Sequence, residues 1–286
     1  MPPCLTNHYD AVLVYHTNPL CCGVTKFSMQ LAERLGVPCL RLSGLASSHP
    51  LISIKASELE PTPWYHHLPV FTPFDLLLHD RPAFVSPEYL GPCRRVFYAD
   101  VLGCPSTLQG NPARGLPNVL LFGMSHKITK QPLYLERLRD LLTDASPRYT
   151  VSVSTAVHEG HPWDEAFTTT VERLRAIFTD HLRVLGYLAD DGLALELQSC
   201  SAAALFFDPA ARANNTTLWA AMEAACPVVT NLDAASPSDL IHDQSVFDIM
   251  RLTEWPRWPV RTDVATGGRE VAKAHNWDRL LEALRA

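Results

Sequence analysis

Little in this sequence would send the chain across or into a membrane. Its apolar runs all fall short of the roughly 20 residues that a membrane-spanning helix needs. The first ten residues hold no basic segment leading into an apolar core, so no secretory signal is expected. Long runs of like charge are missing and the formal net charge is only -6, which argues against a nucleic-acid or membrane-surface partner. The eight cysteines are scattered, and Cys21 and Cys22 are adjacent, not spaced as metal ligands or a redox dithiol. A reduced, cytoplasmic setting is therefore expected, with Cys39, Cys200 and Cys226 read as small buried apolar residues. Internal repeats, low-complexity tracts and a Gly-x-Ser-x-Gly nucleophile elbow are absent as well.

What is present is a chain of 286 residues, 47% hydrophobic, long enough for two modest domains, each with its own core. Short apolar runs recur at 11–17, 39–42, 51–54, 75–79 and 96–98, the pattern of buried parallel strands. Residues 103–117 are rich in glycine and proline, and a fresh strand begins at 118, so the boundary is placed there. That gives an amino-terminal domain over 1–116 and a carboxyl-terminal domain over 117–286. In the second half, helices are expected around 131–142, 163–178 and 192–200, the last capped by Asp190 or Asp191. A further helix starts at Asn214 or Asn215 and runs to Ala225, and strands fall at 150–157, 183–186, 203–207 and 227–230. Strands alternating with helices specify a parallel sheet covered on both faces, an α/β fold.

The most informative stretch is 206–233, where a strand leads into a polar loop, a helix and a second strand. In open α/β sheets ligands settle at the carboxyl ends of strands, and the free amides of a helix amino terminus attract phosphate. Asn214, Asn215, Thr216 and Thr217 stand at such a place and are candidate diphosphate contacts. Ordinary helix capping would use the same residue types, and both readings stay open. His126, Lys127 and Lys130 form a basic loop that suits a diphosphate, or simply a solvated one.

In these segments the sequence resembles the retaining GT-B glycosyltransferases, the group typified by sucrose- and mannosyl-transferring enzymes. Val119-Leu-Leu-Phe-Gly123 followed by Lys130 is similar to that group's donor loop, and 184–193 to its glycine, aspartate and leucine segment. Ala220-Ala-Met-Glu-Ala-Ala-Cys-Pro-Val-Val229 resembles "EAMACGTPVV", and His275-Asn-Trp-Asp278 resembles its terminal tryptophan helix. The resemblance implies two Rossmann-like domains facing each other across a cleft, with the donor on 117–286 and the acceptor on 1–116. It implies a nucleotide-diphosphate sugar as donor substrate, no separate cofactor, no required metal, and a small molecule or glycan as acceptor. The family's E-x7-E motif falls on Arg212 and Ala220, so both glutamates are missing, and the arginine expected after Gly123 is Met124. In the family the first glutamate faces the transferred sugar and the second contacts the ribose.

In the first half, Gly23 resembles the glycine of the GT-B loop before the first helix, where it permits close backbone approach to a ligand. His79 and Asp80 stand at a strand end, where a histidine either reaches an acceptor or a sugar hydroxyl or simply caps the strand. His158-Glu-Gly-His161 lacks the helical metal spacing and a third ligand, and Glu159 is read instead as a partner for donor hydroxyls. Two functions follow: a glycosyltransferase, in which His79, Asp80 and Glu159 serve catalysis, or a catalytically silent nucleotide-sugar-binding or scaffold protein with the same fold.

Overall fold

The structure, a computed structural model, describes residues 8–18, 22–42, 47–55, 73–79, 93–99, 116–124, 128, 130–156 and 163–286. It divides into two compact units, Met1–Asp100 with Trp277–Ala286, and Val101–Asn276. The expected boundary over 103–117 lies almost wholly outside the described residues.

The first unit holds five parallel strands: β1 (Ala11–Val14), β2 (Cys39–Arg41), β3 (Pro50–Ile54), β4 (Phe74–Leu78) and β5 (Cys93–Tyr98). Their order is β2-β1-β3-β4-β5. Alternate residues of the central strands, Leu13, Ile52, Ile54, Leu76 and Leu78, share one buried cluster, as the two-residue period of a strand requires. The strand expected over 11–17 stops at Val14, and the chain leaves the sheet at the exposed Tyr15. Helix α1 (Gly23–Leu35) follows and ends on Gly36, whose positive φ of 69° is one that glycine adopts without strain.

The last helix of the chain, which we call α7 (Trp277–Arg285), belongs to this first unit. Trp277, Leu280, Leu281 and Leu284 recur at helical spacing and are buried as one stripe. The Trp277 ring meets Phe27 of α1 at 4.6 Å between centroids, and the Arg34 guanidinium lies 4.4 Å above it. Beneath the sheet surface, Asp75 of β4 is fully buried and takes a hydrogen bond from Tyr9 Oη at 2.7 Å and an ion pair from Arg95 at 2.8 Å. Burial first, and the neighbouring Asp75 second, push the Tyr9 phenol above its ordinary pKa, so it serves as a donor.

The second unit holds six parallel strands: β6 (Asn118–Met124), β7 (Thr150–Ala156), β8 (Leu182–Gly186), β9 (Ala202–Leu205), β10 (Val228–Thr230) and β11 (Phe247–Asp248). The order is β11-β10-β9-β6-β7-β8. Helices α2 (Pro132–Ala145), α3 (Trp163–Phe178), α4 (Asp190–Ser199), α5 (Thr216–Glu223) and α6 (Trp258–Ala274) supply the cover. Strand β6 shows why both faces are covered. Val119 and Leu121 sit in one core with Leu135, Leu138 and Leu142 of α2 and Leu174 and Phe178 of α3. Leu120 and Phe122 sit in the other, with Leu197 of α4 and Leu218, Trp219 and Met222 of α5. The α/β class expected from the sequence is thus realised as two doubly covered or partly covered parallel sheets.

Several local expectations change. Asp190 and Asp191 lie inside the first turn of α4, where their charge suits the helix dipole, and Ala189 takes the cap position. Cys200 and Cys226 are buried with their sulfurs 3.4 Å apart, and burial pushes the Cys226 thiol pKa up, but Cys39 is only half-buried. Helix α6 has no counterpart in the sequence reading, and it carries Gly267 and Gly268 in its interior, where glycine disfavours a helix. In the fold they are spacers: a Cβ on Gly267 would stand 1.9 Å from Gln244 O, and one on Gly268 2.7 Å from Ser245 O. No helix among the described residues is long and apolar enough to cross a membrane.

Candidate functional site

In a parallel sheet all carboxyl ends share one edge, so the ends of β6, β9 and β10 open on the same side. The β9 to α5 loop and the β10 exit are bound together there. Asn231, only 1% exposed, accepts from Phe207 N–H at 2.8 Å. Its amide nitrogen donates to Phe207 O at 2.9 Å and Pro209 O at 3.0 Å, and its carbonyl takes Ala211 N–H at 3.0 Å. All three polar functions of one side chain and its backbone therefore fix the path of residues 207–211, which delivers the chain to α5.

Arg212 comes next, at the position where the resemblance expects a glutamate. Its guanidinium, 14% exposed, forms a two-pronged pair with Asp233, Nη1 to Oδ1 at 2.8 Å and Nη2 to Oδ2 at 2.6 Å. The Arg212 hydrogen bond holds the Asp233 carboxyl below its usual pKa, with Ala235 N–H and Ser236 Oγ adding to it. Ala220, at the second glutamate position, is a half-buried residue of α5.

The start of α5 is built from the four residues singled out by sequence. Asn215 takes the cap position but does not cap: its Oδ1 accepts from Arg212 N–H at 2.6 Å, closing the loop back on itself. Thr216 N–H turns to Asn214 O at 3.1 Å and Leu218 N–H to Asn215 O at 2.9 Å. The Thr217 N–H has no main-chain acceptor among the described residues. Residues Asn214, Asn215, Thr216 and Thr217 are all half-buried, and below them Trp219 is fully buried and donates Nε1–H to Ala213 O at 2.6 Å. The turn is therefore a rigid, partly exposed set of donors with the positive end of a helix behind it.

Gly123, the next-to-last residue of β6, lies toward the same edge with a φ of +137°, a conformation that side chains rarely adopt, so here the requirement for glycine is conformational. Lys130 is exposed just before α2. His126, Lys127, Asp80 and Glu159, and the His158 and His161 pair, lie outside the described residues. Among the described residues no group of three or more His, Cys, Asp or Glu is placed to hold a metal ion.

In the first unit His79 is 5% exposed at the end of β4. Its Nε2 lies 3.0 Å from Ser53 Oγ, which accepts from Ser28 Oγ at 2.7 Å, and its ring stands edge-on to Phe27 at 5.0 Å. The histidine is thus part of a buried chain between β4, β3 and α1. Beside it, Tyr15, His16, Thr25, Ser53 and Lys55 line a hollow of about 20 Å³, room for about one water molecule. Gly23 opens α1 near this hollow, and a Cβ there would meet nothing within 4 Å.

The structure thus joins Asn214 to Thr217 and Gly123 on one sheet edge, and puts His79 in the other unit. Sequence reasoning missed Asn231 and Asp233, although both follow the Pro-Val-Val-Thr strand in a polar exit that is itself a signal.

No protein-family model and no curated sequence matches the chain. Solved structures do. A glycosyltransferase from Rickettsia africae ESF-5 is 10% identical over 98% of this chain and 98% of its own, with a TM-score of 0.54. Sucrose-phosphate synthase from Thermosynechococcus elongatus is 13% identical over 92% of this chain and 75% of its own, with a TM-score of 0.50. TarM is 10% identical over 83% of this chain, with a TM-score of 0.51, and the chain spans 54% of it. Two parallel α/β units, together with these likenesses, identify the chain as a protein of the GT-B glycosyltransferase fold.

Proposed function

We propose that the chain is a glycosyltransferase that moves a sugar from a nucleotide-diphosphate sugar to a small-molecule or glycan acceptor, with the donor held at the start of α5. The observation that carries this reading is the Asn214 to Thr217 turn, a donor-rich helix amino terminus fixed at the carboxyl edge of the sheet by Asn231 and Arg212. When the glycosidic bond to the diphosphate breaks, negative charge grows on the departing phosphate oxygen. Groups that favour that charge lower the barrier, and a helix amino terminus with two hydroxyls does so without reorganising. Lys130, and His126 and Lys127 of the same basic loop, are the cations that this reading assigns to the leaving group. The catalytic roles of His79, Asp80 and Glu159 are part of the proposal; the buried His79 enters it through its chain to Ser53.

A second reading rests on Arg212 and Ala220, which leave neither motif position with a carboxylate. It keeps donor binding and lacks turnover, as a nucleotide-sugar-binding or scaffold protein.

Calorimetry with uridine, guanosine and adenosine diphosphates tests the donor site. One of the three should bind, and Thr217→Val should weaken it by about tenfold or more, since one hydroxyl to a charged group contributes about 1.5–3 kcal/mol. A variant that binds as tightly as the parent removes Thr217 from the site. Release of nucleoside diphosphate from the matching sugar ester then separates the two readings: the transferase exceeds the hydrolysis background with an acceptor pool from cell extract, and the silent protein does not.

A further inference from the structure

His275 follows the last residue of α6, and its backbone and ring are both committed. The backbone N–H closes the helix on Ala272 O at 3.0 Å. The ring stacks on Trp219, 4.3 Å between centroids and 23° between planes, and its Nε2 lies 2.6 Å from Asp239 Oδ2. A carboxylate oxygen only accepts, so the imidazole donates from Nε2 and Asp239 sets its plane. Asp239 is itself fixed on the connection from β10 to β11, where its backbone carbonyl accepts from Ser245 Oγ at 2.8 Å. Ser245 packs on α6 at a glycine, since a Cβ on Gly268 would stand 2.7 Å from Ser245 O. The loop that carries the carboxylate therefore docks on the same helix that ends in the imidazole. The other oxygen, Asp239 Oδ1, is buried and has no hydrogen-bond donor among the described residues, so His275 supplies the hydrogen bond that this carboxylate receives.

The far end of this arrangement is the entrance to α5. Trp219 donates Nε1–H to Ala213 O at 2.6 Å, six positions back, and Ala213 leads directly into Asn214. Asn215 makes no cap hydrogen bond, so the indole ties the turn to the body of its helix from beneath. The direction of that N–H depends on two side-chain torsions. A second ring stacked on the indole face blocks the rotation that would break the bond.

We propose that His275, oriented by Asp239, is a positioning residue of the donor site: it holds the Trp219 indole on Ala213 O and keeps the Asn214 to Thr217 turn in its nucleotide-binding form. This rests on the proposed donor site at α5. His275 acts through Trp219 and touches no ligand.

The test reads two quantities in the full chain: solvent exchange of the Trp219 indole N–H, whose resonance is identified by its loss in Trp219→Phe, and affinity for whichever of uridine, guanosine and adenosine diphosphate binds. The wild-type chain is compared with His275→Ala, His275→Phe and Asp239→Ala. In His275→Ala the indole proton should exchange at least about tenfold faster, because the turn opens. Apparent affinity scales with the competent fraction, so the nucleoside diphosphate should weaken by about fivefold at a temperature where the variant is folded. His275→Phe keeps a ring on the indole and should recover most of both effects, and Asp239→Ala should fall between the two. A purely structural histidine would lower the unfolding midpoint of His275→Ala and leave both readings in the folded chain unchanged, which overturns the inference. Should His275→Ala fail to fold, Asp239→Ala decides, and wild-type exchange and affinity in that variant overturn it equally. If the wild-type chain binds a nucleoside diphosphate and folded His275→Ala binds it as tightly, the inference falls and the donor site stands. If none of the three binds the wild-type chain, the donor site falls and the positioning role falls with it.

Discussion

Trp219→Ala should destabilise the second unit by about 3–5 kcal/mol, the range for deleting a large aromatic side chain from a packed core. Trp219 is fully buried in the cluster that α5 shares with β6 and β9. Its ring stacks on His275 at 4.3 Å, and its Nε1–H goes to Ala213 O at 2.6 Å. Truncation leaves a cavity, strips His275 of its stacking partner and orphans a carbonyl at the entrance to α5. Trp219→Phe, which keeps most of the volume and loses the N–H, should cost less than half as much. Urea unfolding of the two variants measures both, and a loss under about 1 kcal/mol for Trp219→Ala would show that the indole is not part of the core. The turn that Ala213 enters carries Asn214 to Thr217, so Trp219→Ala should also weaken nucleotide binding at temperatures where the chain remains folded.

In the first unit the large effect belongs to Arg95→Ala, even though Arg95 is the more exposed partner of its ion pair. The side chains are 38% exposed for Arg95 and 0% for Asp75, so removing the arginine strands a carboxylate away from water. Breaking a buried pair this way costs about 3–5 kcal/mol, and the low end is expected because Arg94 Nε remains 3.4 Å from the other oxygen. That contact is an ion pair and not an aligned hydrogen bond, since Asp75 Oδ1 has no hydrogen-bond donor. Asp75→Asn, which removes the charge itself, should cost less than Arg95→Ala. Comparison of the two by denaturant unfolding checks the account; the reverse order would mean that the carboxylate is solvated in the folded chain.

Much of this architecture was legible in the residues because strand signals are local. The alternation Val119, Leu120, Leu121, Phe122 and the short runs at Ile52 and Leu76 report burial on two faces without help from the rest of the chain. Helix starts were less legible. Asp190 and Asp191 have the chemistry of caps and sit within the first turn, just after the cap Ala189, and Asn215 spends its side chain on Arg212. Gly267 and Gly268 carry a helix-breaking signal that only packing against the Gln244 and Ser245 carbonyls overrides. The terminal helix with Trp277 is legible as a helix, but nothing in its sequence says that Phe27, 250 positions earlier, is its partner. For the candidate site, a helix-opening run of amide and hydroxyl side chains was visible as a pattern, while the Arg212 and Asp233 pair, 21 residues apart, exists only once two strands lie side by side.

The claim at the centre of this account is that a nucleoside diphosphate rests on the amino terminus of α5. Titration of the isotope-labelled chain with uridine, guanosine and adenosine diphosphates, followed through the backbone amide resonances, tests it residue by residue. At least one nucleotide should shift the Thr216 and Thr217 amides saturably, together with Gly123 on the same sheet edge, and the shifts of Thr217 should be lost in Thr217→Val. Saturable shifts confined to other parts of the chain, or none up to millimolar concentration with all three nucleotides, would contradict it.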